Sequence, residues 1–426
     1  MKTIDVFGVS NKEIASYIER EEVDYKFKEG LERNKHIIVF GASKQGKTAL
    51  VNKHLKEDRF IRVNCSPITT PLDIYTSILR QLGVEFKEER TKKAKKETGL
   101  AAEVRAKVKI PFFGDSGVGT SLSGKKGEEE DVKYKTIEYN LGLPQDISEI
   151  LKATAFDKRI ILENFHYLDE EVQKEIAFDL RVFEDFNIMF IVLGIWREKN
   201  RLAQYNGDLQ DRLIEIPVEP WLREDLKKVA FKGGELLEVD FTEVLEDIIK
   251  NSFDSIGVFQ ELCKESCLAA GILEEQKSTQ TITRDHLKVA IDKKLDDYYG
   301  RHIRSIESFV EQKSKSSSEV PLYIAYYFVL FLFKKEFEDL EGGLKRSEIH
   351  DGIKTIHHRP DDVRSSDMTY FLHNLTATQI KKDIKPPLFD YDRSTRKLKV
   401  IDSTLYFFLR NVDREELLEE LDSPVG

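Results

Sequence analysis

The sequence predicts an α/β protein in which a five-stranded parallel sheet, covered by helices on both faces, is followed by a run of helices and a terminal helical unit closed by a hairpin. Three observations predict it. In HIIVFGASKQGKTAL an apolar strand, Ile37 to Phe40, turns through two glycines into a helical pattern. Four further short apolar runs, each set apart by helical periodicity, repeat the strand-helix alternation that demands a parallel sheet. At the C-terminus the order is helix, helix, helix, then two strands joined by a polar turn, which is the order of a winged helix.

The turn after the first strand reads Gly41-x-x-x-x-Gly46-Lys47-Thr48. Glycines there let backbone N–H groups point inward around a phosphate, Lys47 reaches the β- and γ-oxygens, and the Thr48 hydroxyl is placed to ligate Mg²⁺. Gly41, Ala42, Ser43, Lys44, Gln45, Gly46, Lys47, Thr48 and Ala49 are therefore the expected nucleotide-binding stretch, with ATP and Mg²⁺ the expected cofactors. The second glycine-rich piece, GDSGVGTSLSG from Gly114 to Gly124, lacks the Gly-Lys-Thr ending and reads as a loop.

The remaining strands are RFIRVNC (Arg59 to Cys65), then Arg159 to Glu163, Ile188 to Leu193 and Leu213 to Val218. Thr70-Pro71 opens a helix after the second strand, a cap followed by proline at the first helical position. An insertion from about 86 to 142 precedes the third strand. Its first part carries nine Lys/Arg against four Asp/Glu between Lys87 and Lys109. A solvated face accounts for such a run, and so does contact with a partner or a nucleic-acid backbone. Within it VRAKVKIPFF alternates apolar and basic residues like an exposed strand.

The third strand ends in RIILEN. Glu163 is placed to serve Mg²⁺ beside the loop, and Asn164 stands where a carboxylate would polarise the attacking water. An amide hydrogen-bonds water but cannot take its proton, and a missing general base costs on the order of 10²–10⁴ in rate. His166, Asp169, Glu170 and Glu171 are the next polar groups able to substitute, with a packed His166 and an Asp169 that caps the adjoining helix as the alternatives.

GASKQGKT and IILEN together resemble the nucleotide motifs of prokaryotic AAA+/STAND-type ATPases related to origin-recognition ATPases, and the similarity covers most of residues 15 to 300. The resemblance implies that SYIEREEVD, Ser16 to Asp24, contacts the adenine, with Arg20 and Val23 carried over. It implies that Arg197, just past the fourth strand, senses the γ-phosphate. It places Arg212, just before the fifth strand, where relatives carry an arginine finger, and a salt bridge is the plain structural alternative. The later sensor arginine of that family would fall in Ser255-Ile256-Gly257-Val258-Phe259-Gln260, where there is none.

Helical periodicity from Trp221 to about Leu295 matches the lid that closes over nucleotide in the same family. The expected organisation is a nucleotide-binding core over 1–220, a lid and linker helix over 221–310, and a winged helix over 320–426. From Gly343 to Lys399 there are twelve Lys/Arg and eight Asp/Glu. Arg364, Lys381 and Lys382 would lie near the third helix and Arg393, Arg396 and Lys397 on the wing. DNA contact and protein docking are equally compatible with that modest excess.

Composition narrows the class. The 426 residues are 40% hydrophobic and 34% charged, as in globular proteins, and the net charge of −10 restricts any nucleic-acid contact to a local surface. The longest apolar run, Val320 to Phe333, is shorter than a membrane span and reads as a core helix. No secretion signal opens the chain, and Cys65, Cys263 and Cys267 form neither a disulfide framework nor a zinc pattern, so a reducing cytoplasm is expected.

Two functional readings follow. One is an ATP-binding switch with slow Mg²⁺-dependent hydrolysis that controls DNA or protein-partner binding, with nucleotide-dependent homo-oligomers; the resemblance implies antiviral or mobile-element biology. The other is a nonhydrolysing, ATP-bound scaffold.

Overall fold

The computed structural model describes residues 1–9, 14–90, 104–111, 134–311 and 321–421. The chain enters through α1 (Thr3–Val6) and α2 (Glu21–Glu32). It then forms β1 (His36–Phe40), α3 (Lys47–His54), β2 (Phe60–Asn64) and α4 (Pro71–Gln81). Thr70 caps α4 through a reciprocal box with Asp73, as the Thr-Pro signal predicts.

The insertion folds as an antiparallel sheet of β3 (Glu85–Arg90), β4 (Val104–Pro111) and β5 (Tyr134–Asn140). The alternation in β4 is real: Ala106 and Val108 are buried, while Arg105, Lys107 and Lys109 face solvent. The Gly114–Gly124 piece and most of the lysine-rich run lie outside the described residues.

After α5 (Pro144–Ala153) come β6 (Arg159–Glu163), α6 (Glu170–Asp185), β7 (Phe190–Gly194), α7 (Arg201–Tyr205) and β8 (Leu213–Pro217). The five-stranded sheet has the order β2-β6-β7-β1-β8, and every pairing is parallel. All five expected strands are present. Alternate residues supply its two cores. Ile38, Phe40, Ile160 and Val192 face α4, α5 and α6, whereas Ile37, Val39, Ile161 and Ile191 pack with Phe27 of α2 and Val51 of α3. Burial on both faces explains why these strands read as continuous apolar runs.

A helical group follows: α8 (Arg223–Leu237), α9 (Leu245–Ser252), α10 (Ile256–Ala269) and the 27-residue α11 (Arg284–Val310), with a short parallel pair, β9 (Val239–Asp240) and β10 (Gln280–Thr281). Cys263 and Cys267 are buried in α10 as small apolar residues. The first half of α11 packs into this group through Leu287, and its last turns, Ile306 and Phe309, enter the next core. One helix about 40 Å long thus joins two cores.

The C-terminal core contains α12 (Ile324–Phe333), α13 (Phe337–Glu341), β11 (Leu344–Lys345), α14 (Arg346–Ile356), α15 (Ser365–His373), α16 (Leu375–Lys381), β12 (Phe389–Asp392), β13 (Lys397–Val400), α17 (Ser403–Asn411) and α18 (Arg414–Glu420). Its antiparallel sheet has the order β11-β13-β12, and helices precede the β12–β13 hairpin, so the unit is a winged helix. The apolar run expected as a core helix is α12. Among the described residues no helix is long and apolar enough to cross a membrane.

Candidate functional site

The loop after β1 is shaped by three positive φ angles, at Gly41 (154°), Lys44 (58°) and Gly46 (86°). Gly46 directly precedes α3, so the N–H groups of that helix start open toward the loop's concave side. The Lys47 ammonium is folded back on the loop's own carbonyls, donating to Gly41 O at 3.0 Å and Ala42 O at 2.6 Å. Burial pushes its pKa down to about 8, against the opposing pull of Glu219 and Glu163.

Glu163, at the end of β6, reaches the loop as its sequence position implies. Its Oε1 accepts from the Thr48 hydroxyl at 2.9 Å, and its Oε2 lies 3.4 Å from the Arg62 guanidinium. A hydroxyl and a carboxylate oxygen in contact beside a phosphate loop are the hard oxygen donors Mg²⁺ takes. Asn164 follows with φ 60°, the left-handed region that Asn tolerates better than most residues. His166 is 2% exposed, and neither ring nitrogen has a partner among the described residues. Burial first, then the charges of Lys47 and Arg201, hold its ring neutral.

A cavity of about 240 Å³ adjoins residues Lys44 to Ala49 and is walled by Tyr17, Ile18, Trp221, Val229 and Ile256. An apolar pocket opening onto a helix start can hold a planar base while the loop takes the phosphates. The segment Ser16–Asp24 does reach this pocket, through Tyr17 and Ile18. Arg20 instead lies over the Trp221 ring, 3.8 Å from its centroid, and donates to Val218 O at 2.7 Å. Val23 is buried with Phe27 against the sheet.

Arg197 comes to the loop by way of Glu219. Its Nε lies 2.8 Å from Glu219 Oε1, the same oxygen that accepts the Ala42 N–H at 3.0 Å. Arg212 is elsewhere. The next residue, Leu213, pairs with His36 at the far end of β1, about 16 Å of strand from the loop. There Arg212 Nη1 contacts Glu184 Oε2 at 2.5 Å.

The residues that sequence reasoning missed come from the far end of the chain. Ser43 N–H donates to Ile401 O at 2.9 Å, and the Ser403 hydroxyl donates to Ser43 O at 2.9 Å. The Ser43 hydroxyl in turn donates to Asp402 Oδ1 at 3.3 Å. Asp402 is fully buried and pairs with Arg301 of α11 at 2.7 Å. Burial alone would raise its carboxyl; Arg301 and His302 overcome that and hold it below the usual range. No local motif marks Ile401 to Ser403, because their role exists only once the winged helix is folded onto the loop.

The place expected for a late sensor arginine also has a physical explanation. A Cβ on Gly257 would fall 2.4 Å from Lys44 Cβ and 2.7 Å from Lys44 O. The start of α10 therefore lies against the loop with no room at that position for a side chain.

Strand order, phosphate loop and the carboxylate at the end of β6 define the P-loop nucleotide-binding fold, here with a helical group and a winged helix appended. No protein-family profile matches the chain, and no curated protein matches it. Solved structures do align along most of it. The Aeropyrum pernix Orc1 protein in complex with DNA is 12% identical, with 95% of this chain and 93% of that chain covered and a TM-score of 0.41. Cdc6p from Pyrobaculum aerophilum is 13% identical, with coverages of 94% and 93% and a TM-score of 0.37. The Walker-type ATPase PABY2304 of Pyrococcus abyssi is 14% identical, with coverages of 92% and 96% and a TM-score of 0.44.

Proposed function

We propose that the chain is an ATP-binding switch whose winged helix is held on the phosphate loop until nucleotide loosens it. The observation that carries this reading is the three-point seating of Ser43 on Ile401, Asp402 and Ser403. Two carboxylates, Asp402 and Glu219, already contact the loop. Each is paired with an arginine, Asp402 with Arg301 and Glu219 with Arg197. A triphosphate would add negative charge beside both and compete for those arginines, which favours the released arrangement. Reciprocity then requires the docked winged helix to weaken nucleotide binding by the same factor.

In this reading Lys44 to Ala49 bind the phosphates, and Thr48 and Glu163 hold Mg²⁺, which supplies charge neutralisation for phosphoryl transfer. Asn164 orients water without taking its proton, so turnover is slow and ATP persists long enough for the released winged helix to engage DNA or a protein partner. Arg197 lies near enough to the loop to follow nucleotide state through Glu219. Arg212 would act only across a subunit boundary in a homo-oligomer.

The nonhydrolysing scaffold is the second reading because of Asn164 and the buried, neutral His166, whose ring nitrogens have no hydrogen-bond partner among the described residues. Turnover by the purified protein, beside Lys47→Ala, separates the two. A rate above the Lys47→Ala background supports the slow ATPase, and a rate equal to it supports the scaffold.

A further inference from the structure

One face of the winged helix gathers cations around two rings. His373 of α15 and Tyr391 of β12 have ring centroids 5.6 Å apart. After burial, Arg393 and Arg346 are the main charges depressing His373, and Arg346 and Arg396 both act on Tyr391. Lys381, at the end of α16, is exposed and lines the same cleft as His373 and Arg393. Tyr370, three residues before His373 on α15, is 74% exposed. The Tyr391 ring is itself buried and backs His373, so the groups this face exposes are His373, Tyr370, Arg393, Arg396 and Lys381. Cations beside exposed rings suit a nucleic-acid backbone and its bases. Lys382 is not part of this face, because its ammonium donates to the Ser308 and Phe309 carbonyls at the end of α11.

In the structure this face is turned toward the nucleotide-binding region. Arg393 meets Glu170, the first residue of α6, fork on fork: Nη1 to Oε1 at 3.1 Å and Nη2 to Oε2 at 3.2 Å. That is the geometry in which arginine grips two oxygens of a phosphate. Asp169, which caps α6 by accepting the Glu171 N–H, lines the same cleft as Glu170, while Glu171 turns to Lys174 at 2.7 Å. A second pair, Arg201 with Asp390 at 3.8 Å, crosses the same boundary. Between the pairs lies a cleft of about 300 Å³, so on this side the boundary is bridged by polar contacts around a gap, whereas α17 packs Phe407 into the core of the helical group.

We propose that Asp169 and Glu170 stand in for a nucleic-acid backbone, Glu170 holding Arg393 as a phosphate would, so that the nucleotide-binding region and a duplex compete for one face of the winged helix. This rests on the switch reading and names the partner class it left open. It also assigns Glu170 a masking role, in place of the water-activating one that its sequence position suggested.

The test is duplex binding by the full chain without nucleotide, read by anisotropy of a labelled mixed-sequence duplex across a salt series from about 50 mM. Glu170→Gln should bind about twofold to fivefold more tightly than the wild type, the scale set by one partly exposed pair. Arg393→Gln should bind more weakly, with the salt slope reduced by about one. Equal or weaker binding by Glu170→Gln overturns the masking role. Absence of duplex binding by both wild type and Glu170→Gln at about 50 mM salt also overturns it, and leaves the nucleotide switch standing with a protein as its partner.

Discussion

The Ser403 hydroxyl donates to the carbonyl of Ser43 at 2.9 Å, joining the winged helix to the middle of the phosphate loop across 360 residues of sequence. A hydrogen bond of this kind contributes about 0.5–1.5 kcal/mol. If docking opposes nucleotide, Ser403→Ala should raise ATP affinity by about twofold to tenfold with little change in global stability. Isothermal titration against wild type checks it, and unchanged affinity would mean that this contact is neutral toward nucleotide.

Lys47 makes affinity depend on pH. Its free-state pKa, depressed to about 8, means that above that pH the ammonium loses the proton it needs to hold phosphate. Bound triphosphate raises that pKa, so binding takes up a proton. ATP affinity should be level below pH 8 and fall up to about tenfold per unit above it, until the pKa of the bound state is reached. Lys47→Arg should flatten the profile over the same range, because arginine stays charged.

Asn164 is the test of slow turnover. Asp is a better replacement for Asn164 than Glu, since the φ of 60° suits Asn and Asp more than longer side chains. Asn164→Asp should raise the steady-state rate at least tenfold over wild type if a missing base limits it. A rate that stays at the Lys47→Ala background would favour the scaffold.

Gly257 tests the close approach of α10 to the loop. Gly257→Ala places a methyl against Lys44 backbone and Cβ, neither of which is a flexible side-chain end. The cost should be about 1–3 kcal/mol of stability, with weaker ATP binding, measured by denaturant melts and titration. Gly300→Ala, with open space around its Cβ at an exposed position of α11, is the control.

Acid should loosen the docked state. His302, buried beside Thr404 at 3.0 Å, has its pKa lowered to about 4, with burial the main cause. A depressed pKa contributes stability that is present above the ordinary value near 6.5 and is lost as pH falls through 4. His302→Gln should shrink the loss of stability between pH 6.5 and 4, read from melts across that range.

What could be seen in the sequence follows from locality. The five core strands were legible because burial on both faces makes each a short apolar run, and Thr70-Pro71 was legible because a cap is set by neighbours in sequence. The meeting of Thr48 and Glu163 was legible because each lies at or after the C-terminal end of a core strand, β1 and β6 respectively. Glu219, Ile401, Asp402 and Ser403 were not, since their contacts with Ala42 and Ser43 depend on the docking of distant elements. The basic face was half legible: charge counting found Arg393 and Arg396 but assigned Lys382 to it as well, and nothing in local sequence showed that Lys382 would instead donate to the end of α11.

Amide hydrogen exchange over Ile401 to Leu409 reports whether nucleotide releases the winged helix from the loop. With Mg²⁺-ATP at saturation, confirmed by titration, exchange of this segment should speed up relative to the nucleotide-free protein, and Lys47→Ala should show no such change. Exchange that stays the same or slows when nucleotide is bound would mean that nucleotide does not release the winged helix.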